Sequence, residues 1–198
     1  MNNFDKVVKR IFDIVFSFIG LIVTGWLIVI ASLLAYFDTK LNGFFIQKRV
    51  GQYGETFNVY KIRTMKNIEA FSTNVSTDND PRITTLGRFW RKTKIDELPQ
   101  LINVLNGDMS FVGPRPDVPG FADKLKGDDR IILSVKPGIT GPASIYYKNE
   151  EELLAKQTNA EIYNLEVIWP KKIELNKRYI KEYSILKDLK YIIQTFTK

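Results

Sequence analysis

Two adjacent carboxylates and one downstream arginine are the side chains of this chain best suited to chemistry. Asp96 and Glu97 are neighbours, and Arg115 lies in a Gly-Pro-Arg-Pro sequence at positions 113–116. Prolines on both sides restrict the backbone of Arg115, and a guanidinium held in this way can grip a diphosphate through paired hydrogen bonds. Metal-assisted phosphoryl transfer requires carboxylates with arginines close by. The pattern therefore predicts chemistry on a phosphorylated substrate.

Composition limits the other chemistries open to the chain. Its 198 residues include neither histidine nor cysteine, which excludes Ser-His-Asp and Cys-His catalysis, disulfides and ordinary zinc sites. Acid–base, nucleophilic and metal-binding roles must then fall mainly to Asp and Glu. The net charge of +7 suits a phosphate-bearing substrate, anionic lipid or nucleic acid. No recognised nucleic-acid-binding motif is present, so nucleic acid is not an expected partner.

A long apolar segment indicates where this chemistry takes place. Residues 14–37 are almost wholly apolar, and as a helix they would reach ~36 Å, against a hydrocarbon core of ~30 Å. A signal peptide would need a shorter apolar run and a better cleavage site than Ala31 and Ala35 offer. A fully buried core helix of this length is unexpected in so short a chain. Together with the carboxylates, the segment predicts an enzyme that joins a soluble phosphorylated donor to a lipid.

The charges around the apolar segment bear on its topology. Basic residues prefer the cytoplasmic side of a membrane, and here they lie on both flanks. A helix that enters, bends and returns keeps both flanks on one side. Thr24 and Gly25 lie near its middle, where glycine eases a bend and a threonine hydroxyl can bond to a carbonyl one turn earlier. We therefore predict a re-entrant helix-hairpin that bends at Thr24 and Gly25, with a straight span as the alternative. The flanking cations are Lys6, Lys9, Arg10, Lys40, Lys48 and Arg49.

The rest of the chain predicts a mostly helical domain with a small β-hairpin, an α+β fold. Two runs with strand character are joined by a Gly-bounded turn, and the second places Phe57 and Val59 toward the protein and ends at Lys61 and Arg63. Apolar residues at helical spacing predict helices downstream. The predicted strands are 44–51 and 54–63, the predicted helices are 85–94, 95–105, 149–156 and 173–196, and a polar loop is predicted at 69–82.

The charges on these helices allow two interpretations. The helices at 85–94 and 173–196 combine an apolar face with a basic face, which is typical of interfacial amphipathic helices on anionic lipid. Packing on a protein core with a solvated basic side is the alternative. The carboxylates of the helix at 149–156 are expected to be solvated. Asp96 and Glu97 could serve simply as capping charges at a helix N-terminus, but the arginines around them favour a functional site.

Taken together, these segments resemble the bacterial sugar transferases, in the form of small monotopic phosphoglycosyl transferases. The similarity covers nearly the whole chain, and its most specific part is the acidic pair with the segments that follow it. The matching segments are residues 9–13, 47–51, 60–65, 80–82, 96–105, 113–116, 136–141 and 186–190.

The resemblance implies a reaction and a location. Such enzymes move a sugar 1-phosphate from a UDP-sugar to a polyprenyl phosphate, usually undecaprenyl phosphate, and release UMP. This step initiates synthesis of an exopolysaccharide, a capsule, the O-antigen of lipopolysaccharide or a glycoprotein glycan. The resemblance also implies a membrane-anchoring helix at 1–40 and a cytoplasmic catalytic domain at 41–198 on the bacterial inner membrane. Inner-membrane lipid and downstream glycosyltransferases are implied partners.

The resemblance further implies roles for individual residues. Asp96 is the implied nucleophile that carries the phospho-sugar, and Glu97 is implied to help position Mg²⁺ or the reacting groups, so both could contact the metal. A carboxylate nucleophile needs no histidine base, which agrees with the composition. The cations that match phosphate-holding or nearby basic positions are Arg91, Arg115, Lys61 and Arg63.

Two departures from the family pattern limit what the resemblance implies. Thr24 and Gly25 stand where the membrane helix usually carries a Ser-Pro pair, and residues 142–148 differ from a region that bears on the sugar or uridine. The identity of the sugar is therefore not carried over. Two other functions remain open: a non-catalytic membrane scaffold that recruits glycan enzymes, and a phosphotransferase of another class that uses cytidine donors linked to alcohols.

Overall fold

The computed structural model describes residues 3–68 and 80–197, so most of the predicted polar loop at 69–82 lies outside the described residues. The fold is α+β and mostly helical, with two small two-stranded sheets. The helices are α1 Asn3–Thr39, α2 Thr85–Thr93, α3 Gln100–Asn106, α4 Pro142–Tyr146, α5 Glu150–Ala155, α6 Ala160–Tyr163, α7 Trp169–Lys181 and α8 Ile185–Thr197. The strands are β1 Phe44–Val50, β2 Thr56–Ile62, β3 Ser110–Val112 and β4 Gly138–Thr140.

The predicted apolar helix is present as α1, which has 37 residues. It is the one described helix that is long and apolar enough to cross a membrane by length and composition. The chain stays helical through Thr24 and Gly25, and the Thr24 hydroxyl donates a hydrogen bond to the Gly20 carbonyl at 2.7 Å, as predicted. The re-entrant hairpin itself stays a prediction.

One face of α1 packs against the rest of the protein along most of its length. Residues buried on this face recur every three or four positions at both ends of the helix, which defines a single helical stripe. The longest stretch of α1 without a buried residue is 18–27, ~15 Å at a rise of ~1.5 Å per residue. Even there, a side chain added at Gly20 would lie 3.1 Å from Leu101 of α3. The buried residues are Lys9, Asp13, Ser17, Ile28, Ala31, Ala35 and Thr39.

Buried polar contacts hold the N-terminal half of α1 in place. Lys9 forms an ion pair with Asp188 of α8, whose carboxylate also accepts a 2.8 Å hydrogen bond from the Tyr179 hydroxyl. Asp13 accepts 3.1 Å hydrogen bonds from the hydroxyl of Ser110 and the backbone N–H of Phe111. Burying a charge without its partner costs free energy, so these contacts fix the position of α1 against the rest of the protein.

The predicted β-hairpin is confirmed. Strands β1 and β2 pair antiparallel, with Phe45 opposite Lys61, and Val59 is buried as predicted. The side chain of Asn103 on α3 accepts a hydrogen bond from the N–H of Tyr60 at 3.1 Å and donates to the carbonyl of Asn58 at 2.7 Å. These bonds hold α3 against β2 and thereby fix the position of Lys61 relative to the helices that follow β2.

Close backbone packing holds the segment around Arg115. Strand β3 runs into the Gly-Pro-Arg-Pro segment and pairs parallel with β4. The N–H of Gly113 donates to the carbonyl of Thr140 at 2.9 Å, and that of Gly138 donates to the carbonyl of Pro114 at 2.8 Å. A Cβ at Gly138 would lie 2.1 Å from the nitrogen of Gly113, so only glycine allows this approach. The arginine is thus presented from a rigid loop.

The helix predicted at 95–105 is divided in the structure. Lys94 ends α2 in the left-handed region at φ 60°, residues 95–97 form a single 3₁₀ turn, and α3 begins only at Gln100. Pro99 has no N–H and so cannot make the α-helical bond to the carbonyl of Ile95. The carboxylate pair therefore lies in a turn between two helices, and not in the first turn of a longer one.

The predicted C-terminal helix is likewise two helices, α7 and α8, separated at residues 182–184. The helix predicted at 149–156 is confirmed as α5. On α8 the apolar residues Leu186, Ile193 and Phe196 are exposed, whereas Asp188 on the other face is buried against Lys9. An outward apolar face of this kind is compatible with an interfacial helix, but that placement stays a prediction.

Candidate active site

The carboxylate pair is buried between the β-hairpin, α2 and the segment around Arg115. The left-handed conformation of Lys94 turns the chain so that Asp96 points inward, where it is only 6 % exposed. Glu97 is less buried over the whole residue, but its side chain is only 11 % exposed. The two adjacent acids thus face different surroundings.

Glu97 is held by two cations. Its Oε1 accepts a 2.5 Å hydrogen bond from the Arg115 guanidinium, and the other oxygen lies 3.5 Å from a second guanidinium nitrogen. The Nζ of Lys61 lies 3.8 Å from the same Oε1. Burial alone would raise the pKa of Glu97, but Arg115 and Lys61 outweigh it and hold this pKa well below its usual range. Glu97 is therefore ionised at any physiological pH.

Within the described residues, Asp96 makes no ion pair or hydrogen bond of this kind through its side chain. Its Oδ1 is fully buried and, among the described residues, has no hydrogen-bond donor. Burial and the neighbouring charge of Glu97 raise the pKa of Asp96 to about 6. A buried polar atom without a partner is unusual in a folded protein and demands an explanation. An unpartnered, weakly stabilised carboxylate oxygen is what a nucleophile requires.

Burial and neighbouring charges also shift the pKa values of the surrounding cations. Desolvation, followed by the charge of Arg115, lowers the pKa of Lys61 to about 8. Arg115 is affected in the opposite direction, because its contact with Glu97 raises its pKa above the ordinary arginine value. The cluster therefore carries positive charge in a site partly shielded from water, where charges interact more strongly than at an exposed surface.

Arg49 is a member of this cluster that the sequence indicated only as a flanking cation of the apolar segment. Its guanidinium donates to the Gln47 side chain at 2.7 Å and to the Pro116 carbonyl at 3.2 Å, which braces the loop that carries Arg115. Burial and the charge of Arg115 lower the pKa of Arg49 to about 10. The matching segment at 47–51 was the available signal, but it did not indicate which side chain faces the site.

The structure separates the other two predicted cations from this core. Arg63 donates to the Asn42 carbonyl at 2.6 Å and lies over the Phe45 ring, 5.4 Å from its centroid, so it is not brought to Glu97. Arg91 on α2 contributes a charge that lowers the pKa of Asp96, but its guanidinium is ion-paired with Glu151 of α5. The expectation that the α5 carboxylates are solvated is therefore wrong for Glu151, and it is also wrong for Glu150, which pairs with Lys172.

The donor set agrees with a magnesium ion only if the substrate completes it. No cluster of three or more carboxylate, histidine or cysteine ligands occurs within residues 3–68 and 80–197. Mg²⁺ commonly binds one or two carboxylates together with substrate phosphates and water. Asp96 and Glu97 can supply that minimum, and the buried Oδ1 of Asp96 has no competing donor in the described residues.

Fold and site together define a class of protein: an enzyme with a membrane-length helix and a carboxylate pair set among buried cations. The sequence pattern of the bacterial sugar transferase family matches residues 4–198, and the chain belongs to that family. It is therefore a transferase, as predicted from the sequence.

Individual relatives agree with this assignment. The galactosyl transferase CpsE of Streptococcus agalactiae is 37 % identical over 203 residues, covering 96 % of this chain and 41 % of its own length. The uncharacterized sugar transferase EpsL of Bacillus subtilis is 36 % identical over 194 residues, covering 97 % and 87 %. The UDP-glucose:undecaprenyl-phosphate glucose-1-phosphate transferase of Escherichia coli is 33 % identical over 203 residues, covering 100 % and 41 %. The chain thus spans less than half the length of two of these relatives.

Proposed function

We propose that the protein transfers a sugar 1-phosphate from a UDP-sugar to undecaprenyl phosphate, releases UMP and thereby initiates synthesis of a bacterial polysaccharide. The observation that carries this proposal is the contrast within the carboxylate pair: Asp96 has a buried oxygen without a donor, whereas Glu97 is gripped by Arg115 and Lys61. The name of the Escherichia coli relative supports both substrates. Relatives named for glucose and for galactose are similarly close, so we name no sugar.

The proposed reaction has two displacements at one phosphorus. An oxygen of Asp96 attacks the β-phosphorus of the UDP-sugar, and the bond from that phosphorus to the bridging oxygen breaks, so that UMP leaves with the electron pair. A phosphate oxygen of undecaprenyl phosphate then attacks the same phosphorus and releases the Asp96 carboxylate. The product is undecaprenyl diphosphate sugar, and no external oxidant, reductant or histidine base is needed. Splitting one transfer into two in this way is nucleophilic catalysis.

Cations support both displacements in this proposal. We assign Arg115 and Lys61, which contact Glu97, to the charge that develops on the transferring phosphoryl group, and Arg91 on α2 to a phosphate of the donor. Arg115 can bind phosphate through two parallel hydrogen bonds, which orients it as well as neutralising it. Glu97 keeps these cations ionised and in place. Mg²⁺, held by Asp96 and Glu97 with the diphosphate, would neutralise further charge on the donor when bound.

The contacts between α1 and the rest of the protein support a monotopic placement on the cytoplasmic face of the inner membrane. A helix that crosses the hydrocarbon core must leave a length of ~30 Å free of polar protein. Residues 18–27 are the longest stretch of α1 without a buried residue and cover only ~15 Å. We therefore propose that α1 enters one leaflet with both ends on the cytoplasmic side, where exposed apolar side chains such as Phe89 and Phe196 also meet lipid.

Site-specific labelling tests this topology directly. The chain has no cysteine, so Asn3→Cys and Asn42→Cys each introduce a single reactive thiol. Both are expected to react with a membrane-impermeant maleimide only in inverted vesicles or after permeabilisation, as a Lys156→Cys control in the catalytic domain does. Reaction of either one from the outside of intact cells would show a true span. Transferase activity could persist in that case, so topology and function are tested separately.

Release of UMP by protein in nanodiscs is the experiment that tests the function. The assay contains undecaprenyl phosphate, Mg²⁺ and a panel of UDP-sugars. Repeated turnover that requires one or two of these sugars and the lipid acceptor would establish both the reaction class and the donor. Release of CMP from an added CDP-linked alcohol, without release of UMP from any UDP-sugar, would favour the other class of phosphotransferase. Absence of turnover and of UDP-sugar binding across the panel would favour the scaffold.

The pKa shifts predict a bell-shaped pH profile for kcat/KM of the donor. Asp96 attacks only when ionised, and because its pKa is raised to about 6, activity is expected to rise through pH 6. Lys61 binds phosphate only when protonated, and because its pKa is lowered to about 8, activity is expected to fall above pH 8. The variant Lys61→Arg should move the alkaline limb to higher pH. An acid limb near pH 4, the ordinary range of an aspartate, would contradict the role of Asp96.

A further inference from the structure

Helix α5 places two successive carboxylates on two cations at the edge of the site. Glu151 forms an ion pair with Arg91, and Glu150 contacts the Nζ of Lys172 on α7 at 2.7 Å. Arg91 is close enough for its charge to lower the pKa of Asp96. In this structure Arg91 is therefore paired with Glu151, an anionic side chain of the protein itself. The proposed function assigns the same arginine to a donor phosphate.

A carboxylate and a phosphate cannot share Arg91 without repulsion. The side chains of Arg91 and Glu151 are 23 % and 42 % exposed, and half-exposed ion pairs contribute little to stability. A diphosphate carries more negative charge and more acceptor oxygens than one carboxylate, so it is the stronger ligand for a guanidinium. Release of Glu151 from Arg91 therefore costs little free energy when the donor binds.

The short length of α5 makes its position depend on these contacts. It runs only from Glu150 to Ala155, far below the length at which an isolated helix is stable in water. Leu154 is its only residue that is buried in the protein. The two ion pairs, together with Leu154, are therefore among the described contacts that hold α5 in place.

We propose that α5 is a carboxylate latch: Glu151 neutralises Arg91 while the donor site is empty and is exchanged for the diphosphate when a UDP-sugar binds. This inference rests on the proposed function, because it takes Arg91 as a donor-binding cation. Glu151 then sets donor affinity without touching the reacting atoms. Removing its charge removes an internal competitor for the phosphate.

The variant Glu151→Gln tests the latch through the sign of the change in KM. The KM for the UDP-sugar is expected to fall about two- to fivefold, the factor that corresponds to loss of a half-exposed ion pair, with kcat changed less than twofold. Glu152→Gln is the matched control, since it makes the same charge change on the same helix but pairs with Lys156 at 2.9 Å. That control should leave KM unchanged. An unchanged or raised KM in Glu151→Gln would overturn the latch.

Binding of UDP and of uridine separates the latch from the function on which it rests. UDP should bind Glu151→Gln more tightly than it binds the unaltered protein, by the same two- to fivefold, whereas uridine, which lacks phosphate, should bind both equally. Unaltered protein that binds UDP and releases UMP, while Glu151→Gln shows no tighter UDP binding, would refute the latch alone. Unaltered protein that neither binds UDP nor releases UMP would refute the proposed function as well.

Discussion

Replacement of Asp96 by Asn is expected to reduce UMP release by at least ~10³-fold, to the background of the assay. An amide oxygen of nearly the same size and position is a far weaker nucleophile than a carboxylate and cannot form the acyl-phosphate bond to the sugar phosphate. Asp96→Glu should also fail, because one additional methylene displaces the attacking oxygen from the phosphorus. Each variant is assayed with Mg²⁺, undecaprenyl phosphate and the donor that the unaltered protein uses.

Folding controls distinguish this loss of chemistry from loss of structure. The raised pKa of Asp96 means that its ionised form is disfavoured by burial, so Asp96→Asn is expected to leave the midpoint of thermal unfolding unchanged or to raise it. Asp129→Asn, which affects a surface carboxylate paired with Lys177 at 2.7 Å, should retain full activity. Substantial UMP release by a well-folded Asp96→Asn variant would exclude Asp96 as the nucleophile.

Replacement of Arg115 by Gln is expected to lower kcat/KM by about 10²- to 10⁴-fold, within the range seen for phosphate-binding arginines in phosphoryl transfer. The loss has two physical causes. The donor diphosphate loses a bidentate partner, and among the described residues the buried carboxylate of Glu97 keeps Lys61, 3.8 Å away, as its remaining ion-pair partner. The pKa of Glu97 should therefore rise toward the ordinary range, which would add a new acid limb to the residual activity.

Arg115→Lys separates charge from geometry at the same position. A lysine keeps the charge but offers a point donor instead of a planar fork, so we expect a loss of at least tenfold in kcat/KM. Arg178→Gln on α7, where the arginine makes only a surface pair with Glu174, is the matched control and should be neutral. Near-normal activity in both Arg115 variants would contradict the proposed role of Arg115 in phosphate binding.

The sequence predicted the elements whose signals are local. The apolar run that became α1, the alternating strands of the hairpin and the acidic helix α5 all depend on residues close together in the chain, and each is present. Where these local signals were ambiguous, the predicted helix boundaries were wrong. The predicted helix at 95–105 is divided into a 3₁₀ turn and α3, because Pro99 lacks the N–H that a continuous helix needs. The predicted helix at 173–196 is interrupted at residues 182–184.

The composition and motifs also determined the kind of chemistry. A chain without histidine or cysteine has to rely on carboxylates, and the adjacent pair before a proline-flanked arginine indicated which ones. The family assignment confirms that the protein is a transferase. The individual roles of Asp96, Glu97 and the cations, and the requirement for Mg²⁺, stay predictions until the assays above are made.

Only the tertiary structure decided how the two acids differ and which cations serve them. Lys61, Glu97 and Arg115 come from three separate segments, and their contact gives Glu97 its charge while leaving Asp96 buried without a donor. Spacing along the chain likewise could not show that Arg63 turns away or that Glu151 reaches Arg91. The physical reason is that desolvation and ion pairing depend on neighbours distant in sequence. Helix period, composition and turn residues can instead be read from residues close together in the chain.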